Sequence, residues 1–188
     1  MKKLLLYLFL GFTLVGFSQN TLIPDPVFEQ ALVDLGYDNV IDGQVLTENI
    51  INVTDLEITY LITYPQAVFD FTGIEDFTAL KNFNCSGHGL TSLDLSNNIA
   101  LEYLNCRGSA FSNLGSLDLS NNIALETLQI SHNNLSSINV SQNIDLSTLH
   151  IAFNLIDSID LSQNTSLEVF HAKNNQLNSL NLSQNYTL

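Results

Sequence analysis

The sequence predicts a repeat solenoid, mainly β, in which short parallel strands from successive coils lie side by side behind a helical N-terminal cap. Three observations carry the prediction. Leu80, Leu101, Leu125, Leu146, Leu167 and Leu188 open segments spaced 21, 24, 21, 21 and 21 residues apart. Within the segments, apolar residues fall at matching offsets, as at Leu125, Leu128, Ile130, Leu135, Ile138 and Val140. A single such coil cannot bury its own apolar face, so coils must stack. Hydrophobic residues make up 45% of the 188 and charged ones only 13%, a core-forming composition rather than that of a disordered acidic tail, at a length suited to one domain.

The first element is a leader. Met1-Lys2-Lys3 is followed by an apolar run from Leu4 to Phe17, and the small residues Gly16 and Ser18 place cleavage before Gln19. This is the pattern of a secretory signal peptide over residues 1–18. The run is shorter than the ~20 residues needed to span a bilayer, and no second run exists, so no membrane insertion is expected. The predicted product is exported and secreted or held at the cell surface.

Residues 19–52 are predicted to form the cap. Asp25 is a good N-cap and Pro26 suits the first helical position. Val27, Phe28, Ala31, Leu32 and Leu35 make one apolar stripe, and Gly36 can end the helix. Asp38, Asp42 and Gly43 match part of a calcium-loop pattern, but Val40 and Asn49 stand where ligands belong, so a turn after the helix is the better reading. Residues 53–79 are expected to form a degenerate first repeat, and 80–188 the regular ones, starting at 80, 101, 125, 146 and 167.

In each regular coil an alternating pair such as Leu128-x-Ile130 predicts a short strand with one buried face. The turns that follow leave backbone groups needing partners. Asn133, Asn154 and Asn175 recur at one inward-turning position; Asn98, Asn122, Asn143, Asn164 and Asn185 recur at another. Asn both donates and accepts, so such columns can bond the backbone of neighbouring coils. Ser96, Ser120, Ser141, Ser162 and Ser183 suit the same turns. Three extra residues around Gly108 to Phe111 are expected to loop out of the second coil. With no C-terminal counterpart to the cap, the chain is read as ending in an uncapped repeat that frays, and as a fragment or truncated product.

The pattern L-x-x-L-x-[L/C/I]-x-x-N-x-L, as in Leu125 to Leu135, resembles the leucine-rich repeat. Phe83-Asn84-Cys85, Leu104-Asn105-Cys106 and the repeated SLDLSNNIAL of 92–101 and 116–125 look like the secreted leucine-rich-repeat proteins of Gram-negative bacteria, and Ile23 to Leu32 resembles their N-terminal cap. The resemblance implies a right-handed superhelix, relatives that often continue into a C-terminal sorting domain, and a role in adhesion or surface contact.

Charge narrows the function. Five Lys and Arg stand against nineteen Asp and Glu, a net charge of −14, and losing Lys2 and Lys3 with the leader leaves three against nineteen, or −16. Lys81, Arg107 and Lys173 cannot make the basic patch that nucleic acid requires, nor hold the chain on anionic lipid. The eleven carboxylates of residues 19–80 are read as a solvated acidic surface. Cys85 and Cys106 share an inward position in successive coils and are expected to be free core thiols, because same-face neighbours in a parallel sheet seldom meet disulfide geometry. His150 and His171 share an outward position, but nothing completes a metal site, so they, His88 and His132 are read as surface imidazoles. No catalytic motif is present. The chain is therefore expected to be no enzyme and to need no metal or cofactor.

What remains is the outward sheet face. Its exposed polar and aromatic side chains suit recognition of an extracellular protein or glycan by a monomer, with Tyr103, Asn105, Arg107, Gln129, His150, Phe153 and His171 as candidate partner-binding residues on a concave surface. The alternative expectation is a structural spacer or a truncated remnant of a larger secreted protein.

Overall fold

The computed structural model describes residues 19–60 and 65–188; the expected signal peptide lies outside the described residues. The chain opens with strand β1 (Asn20–Leu22), helix α1 (Pro26–Asp34), strand β2 (Gln44–Leu46), which pairs antiparallel with β1, and a one-turn helix α2 (Thr47–Ile50). Strands β3 (Asp55–Glu57), β4 (Asn82–Asn84), β5 (Tyr103–Asn105), β6 (Thr127–Gln129), β7 (Thr148–His150) and β8 (Val169–His171) then form one parallel sheet in sequence order. A short 3₁₀ turn, Ile74–Asp76, lies between β3 and β4.

Register follows the period. Asn82, Tyr103, Thr127, Thr148 and Val169 stand opposite one another, and so do Phe83, Leu104, Leu128, Leu149 and Phe170. The second row points inward; Phe83, Leu104, Leu128 and Leu149 are fully buried and Phe170 is half-buried. Two residues on, Cys85, Cys106, Ile130 and Ile151 continue the core, and both thiols are free. Burial and the neighbouring Cys106 thiol hold the Cys85 thiol protonated, well above its ordinary pKa.

Both asparagine columns are built as the spacing predicts. Asn154 donates Nδ2 to Ile130 O and Ile151 O at 3.0 Å each, and its Oδ1 accepts the Leu135 amide at 3.1 Å. Asn175 repeats this one coil on. In the second column Asn143 donates to Leu119 O and Asn122 O at 3.2 and 2.8 Å, and Asn164 to Val140 O and Asn143 O at 3.0 and 2.8 Å. Here only the donor is used: Oδ1 of Asn98, Asn122, Asn143, Asn164 and Asn185 is buried without a protein partner. The serines of the same turns act through their backbone. The amides of Ser96, Ser120, Ser141, Ser162 and Ser183 donate to the side-chain oxygens of Asp94, Asp118, Asn139, Asp160 and Asn181, all at 2.9–3.0 Å. Those bonds lower the pKa of Asp94, Asp118 and Asp160.

The cap departs from its expected packing in two places. Asp25 does cap α1, accepting the Val27 and Phe28 amides, and its second oxygen accepts those of Phe69 and Asp70. Leu35, however, is 43% exposed instead of closing the apolar stripe, because the helix ends there and Gly36 turns the chain away at φ 80. Glu29, on the same helix, is buried instead. Its Oε1 accepts the amides of Asp42, Gly43 and Gln44 at 2.8, 2.6 and 3.1 Å, which fixes the turn after the helix.

His88 is a second correction: it is a core residue and no surface imidazole. Its Nδ1 accepts the Val68 amide at 3.0 Å, which leaves Nε2–H to donate to Ile58 O at 2.8 Å. The ring packs edge-on to Phe71, which in turn meets Phe28 and Phe83, so cap, loop and sheet share one aromatic cluster.

Candidate functional site

The sheet's outward face is built by the alternation that buries its inner face. Asn84, Asn105, Gln129, His150 and His171 stand opposite one another and form a row across five strands. Tyr103 stands apart from it, two residues earlier on β5, half-buried between Asn82 and Thr127. His150 and His171 stack, with ring centroids 4.4 Å apart and planes inclined by 16°. His150 Nε2 is buried without a partner, and burial with the nearby His171 lowers its pKa, so this ring is neutral at pH 7.

A second row runs along the trailing edge of the strands, where the chain turns from the sheet. His132, Phe153 and Asn174 occupy equivalent turns at φ 60, 57 and 57, a conformation that residues other than glycine seldom adopt. His132 stacks on Phe153 at 4.3 Å and 15°, and Arg107 Nη2 donates to His132 Nε2 at 3.3 Å. Burial and the guanidinium lower the His132 pKa, which keeps Nε2 an acceptor. Arg107, His132 and Phe153 thus link three consecutive coils. Gly108 makes room for this contact: a Cβ there would lie 2.0 Å from His132 O.

The seven residues singled out in the sequence therefore divide among three places. Asn105, Gln129, His150 and His171 share the central row, Arg107 and Phe153 lie on the trailing edge, and Tyr103 sits near the leading edge beside the exposed carboxylates Asp55 and Glu57. His132, which joins Arg107 to Phe153, was not among them. Its signal lay in the register, since it is one coil before Phe153. Among the described residues no group of three or more His, Cys, Asp and Glu is placed to hold a metal ion.

This architecture has counterparts among solved structures. An internalin C2 from Listeria monocytogenes superposes with a TM-score of 0.73 at 19% identity, over 92% of this chain and 76% of that one. The fold is the leucine-rich repeat. A leucine-rich-repeat protein from Leptospira interrogans matches with a TM-score of 0.53 at 17% identity, over 74% of this chain and 42% of that one. The functional domain of the Listeria monocytogenes internalin InlJ is 22% identical over 91% of this chain, with a TM-score of 0.39, and this chain spans about half of it, 51%. No family model and no curated protein matches the chain. No helix among the described residues is long and apolar enough to cross a membrane.

The leucine-rich-repeat face is polarised across its strands. Glu102, Glu126 and Glu168 flank the leading edge, where Lys81 is paired with Glu102 at 2.7 Å. Arg107 and Lys173 lie exposed on the trailing edge with no ion pair among the described residues.

Proposed function

We propose that this leucine-rich-repeat chain is a non-catalytic binding module, exported after loss of residues 1–18, that recognises a protein or glycan partner through the outward, concave face of its sheet, in adhesion or surface contact. Residues 19–52 cap it, 53–79 supply its first coil and 80–188 the regular repeats. The observation that carries the reading is the pair of ring stacks, His132 on Phe153 and His150 on His171. These aromatic side chains are held in place before a partner arrives, so little ordering entropy is lost when they are covered.

The test is a pull-down from extracellular proteins and surface glycans with purified Gln19–Leu188, beside the Tyr103→Ala/His150→Ala double variant, with circular dichroism to show that both are folded. A partner retained by the wild type and lost by the variant supports the face as the site. A partner held equally by both, or none at all, sinks it and favours a spacer.

A further inference from the structure

Beyond Lys3 the chain has three Lys and Arg, and all three lie at the edges of the sheet face: Lys81, Arg107 and Lys173. Lys81 is neutralised by Glu102. Arg107 is held by the neutral His132, and neither it nor Lys173 has an ion pair among the described residues. On a chain with nineteen carboxylates, two unneutralised cations on one edge mark the place where an anionic group meets attraction instead of repulsion.

Their spacing says more. Arg107 and Lys173 follow β5 and β8, three strand steps apart, or about 14 Å at ~4.8 Å per step. The His132–Phe153 stack belongs to the two coils between them, with its midpoint roughly 7 Å from each end. In an extended peptide, side chains on one face repeat about every 6.7 Å, so residues i, i+2 and i+4 fall at about 0, 7 and 13 Å.

We propose that this trailing edge binds an extended acidic peptide segment, with one carboxylate on Arg107, an aromatic or aliphatic side chain on the His132–Phe153 stack two residues later, and a second carboxylate on Lys173 two residues after that. The guanidinium grips its carboxylate with paired N–H donors, and Lys173 acts as a point charge. A uronate polysaccharide carries carboxylates as well, but offers no apolar side chain midway between two of them. The proposal rests on the outward face being the binding face and names the partner's chemistry there.

The test is fluorescence anisotropy of the purified chain with a labelled nonapeptide centred on Glu-Ala-Phe-Ala-Glu. Its counterparts are the same peptide with lysines for glutamates, the same composition with adjacent glutamates, and polygalacturonate as competitor. The spaced acidic peptide should bind at least about tenfold more tightly than either peptide counterpart, and Arg107→Ser/Lys173→Ser should weaken it by about tenfold or more. Equal binding of the lysine or adjacent-glutamate peptide, no loss in the folded double variant, no binding at millimolar peptide, or better competition by polygalacturonate than by unlabelled peptide each overturns the proposal. If the pull-down captures a partner that depends on Tyr103 and His150 while the acidic peptide fails, the partner chemistry is wrong and the binding face stands. If both fail, the face itself is wrong.

Discussion

The two asparagine columns use the same side chain differently, and the difference has a measurable size. Asn143→Ala removes two hydrogen bonds at about 1 kcal/mol each. It orphans no carbonyl, because Leu119 O still accepts the Asn122 amide and Asn122 O still accepts the Leu125 amide, both at 3.1 Å. It also deletes an Oδ1 that is buried without a partner, recovering roughly 1 kcal/mol of desolvation. The expected net cost is therefore about 1–2 kcal/mol. Asn154→Ala removes three bonds, two donated and one accepted. Ile130 O and Ile151 O keep Asn133 and Asn175 as donors, but the buried Leu135 amide loses its acceptor, which adds about 1–3 kcal/mol. The expected cost is about 4 kcal/mol. Both sites are buried and both truncations remove the same atoms, so the cavity contributions cancel to first order. Urea unfolding at constant m gives the two values, and amide hydrogen exchange at Leu135 reports the orphaned donor directly. If Asn143→Ala costs as much as Asn154→Ala, or if Leu135 keeps its protection in Asn154→Ala, the bookkeeping of donors and acceptors is wrong.

Three further outcomes are expected. Burial, the first cause, holds the His88 pKa below its ordinary value against the opposing pull of Ile58 O and Asp25. The unfolded chain therefore binds the extra proton first, and the stability His88 contributes is complete above about pH 6.5 and falls as pH drops through the lowered folded value. His132 and His150 shift in the same direction. Unfolding at pH 7.5 and 5.5 measures this, and a His88→Ala variant, less stable at both, should lose less between the two; an equal loss would remove His88 from the account. Gly108→Ala should cost about 3 kcal/mol because its Cβ meets a backbone carbonyl, whereas Gly115→Ala, with open space around it, should be near neutral by the same assay. Glu29→Ala leaves three amides of the 42–44 turn without their side-chain acceptor and should lower stability by about 3 kcal/mol, with faster exchange at Asp42 and Gly43 as the local reading.

What repeats was legible, and what does not repeat was mostly hidden. The register from Asn82 to Val169, the inward thiols and both asparagine columns follow from a period that samples one geometry several times, so each coil corroborates the next. The shared outward position of His150 and His171 came from the same count. Glu29 and His88 gave no such signal. Glu29 is buried by a turn 13–15 residues away, and His88 by the Val68 backbone crossing over it, and neither contact recurs in another coil. Alternation also stops where a strand ends. His132 and Phe153 both sit one residue past the outward positions that simple counting gives to Arg107, Ser131, Ala152 and Lys173, and their equivalent left-handed turns bring the two rings together.

The side-chain amide bonds between turns of the coil share a narrow reach. Those of Asn143, Asn164 and Asn185 bind chain 21 or 24 residues earlier. Each turn is thus fastened to the one before it, and among the described residues no asparagine of this column reaches past the neighbouring turn. Under tension applied to its two ends, such a molecule peels like a roll of tape. A freed turn of 21 residues pays out roughly 70 Å of extended chain. The remaining turns keep their shape and their share of the sheet face, so load shortens the platform one turn at a time without dissolving it.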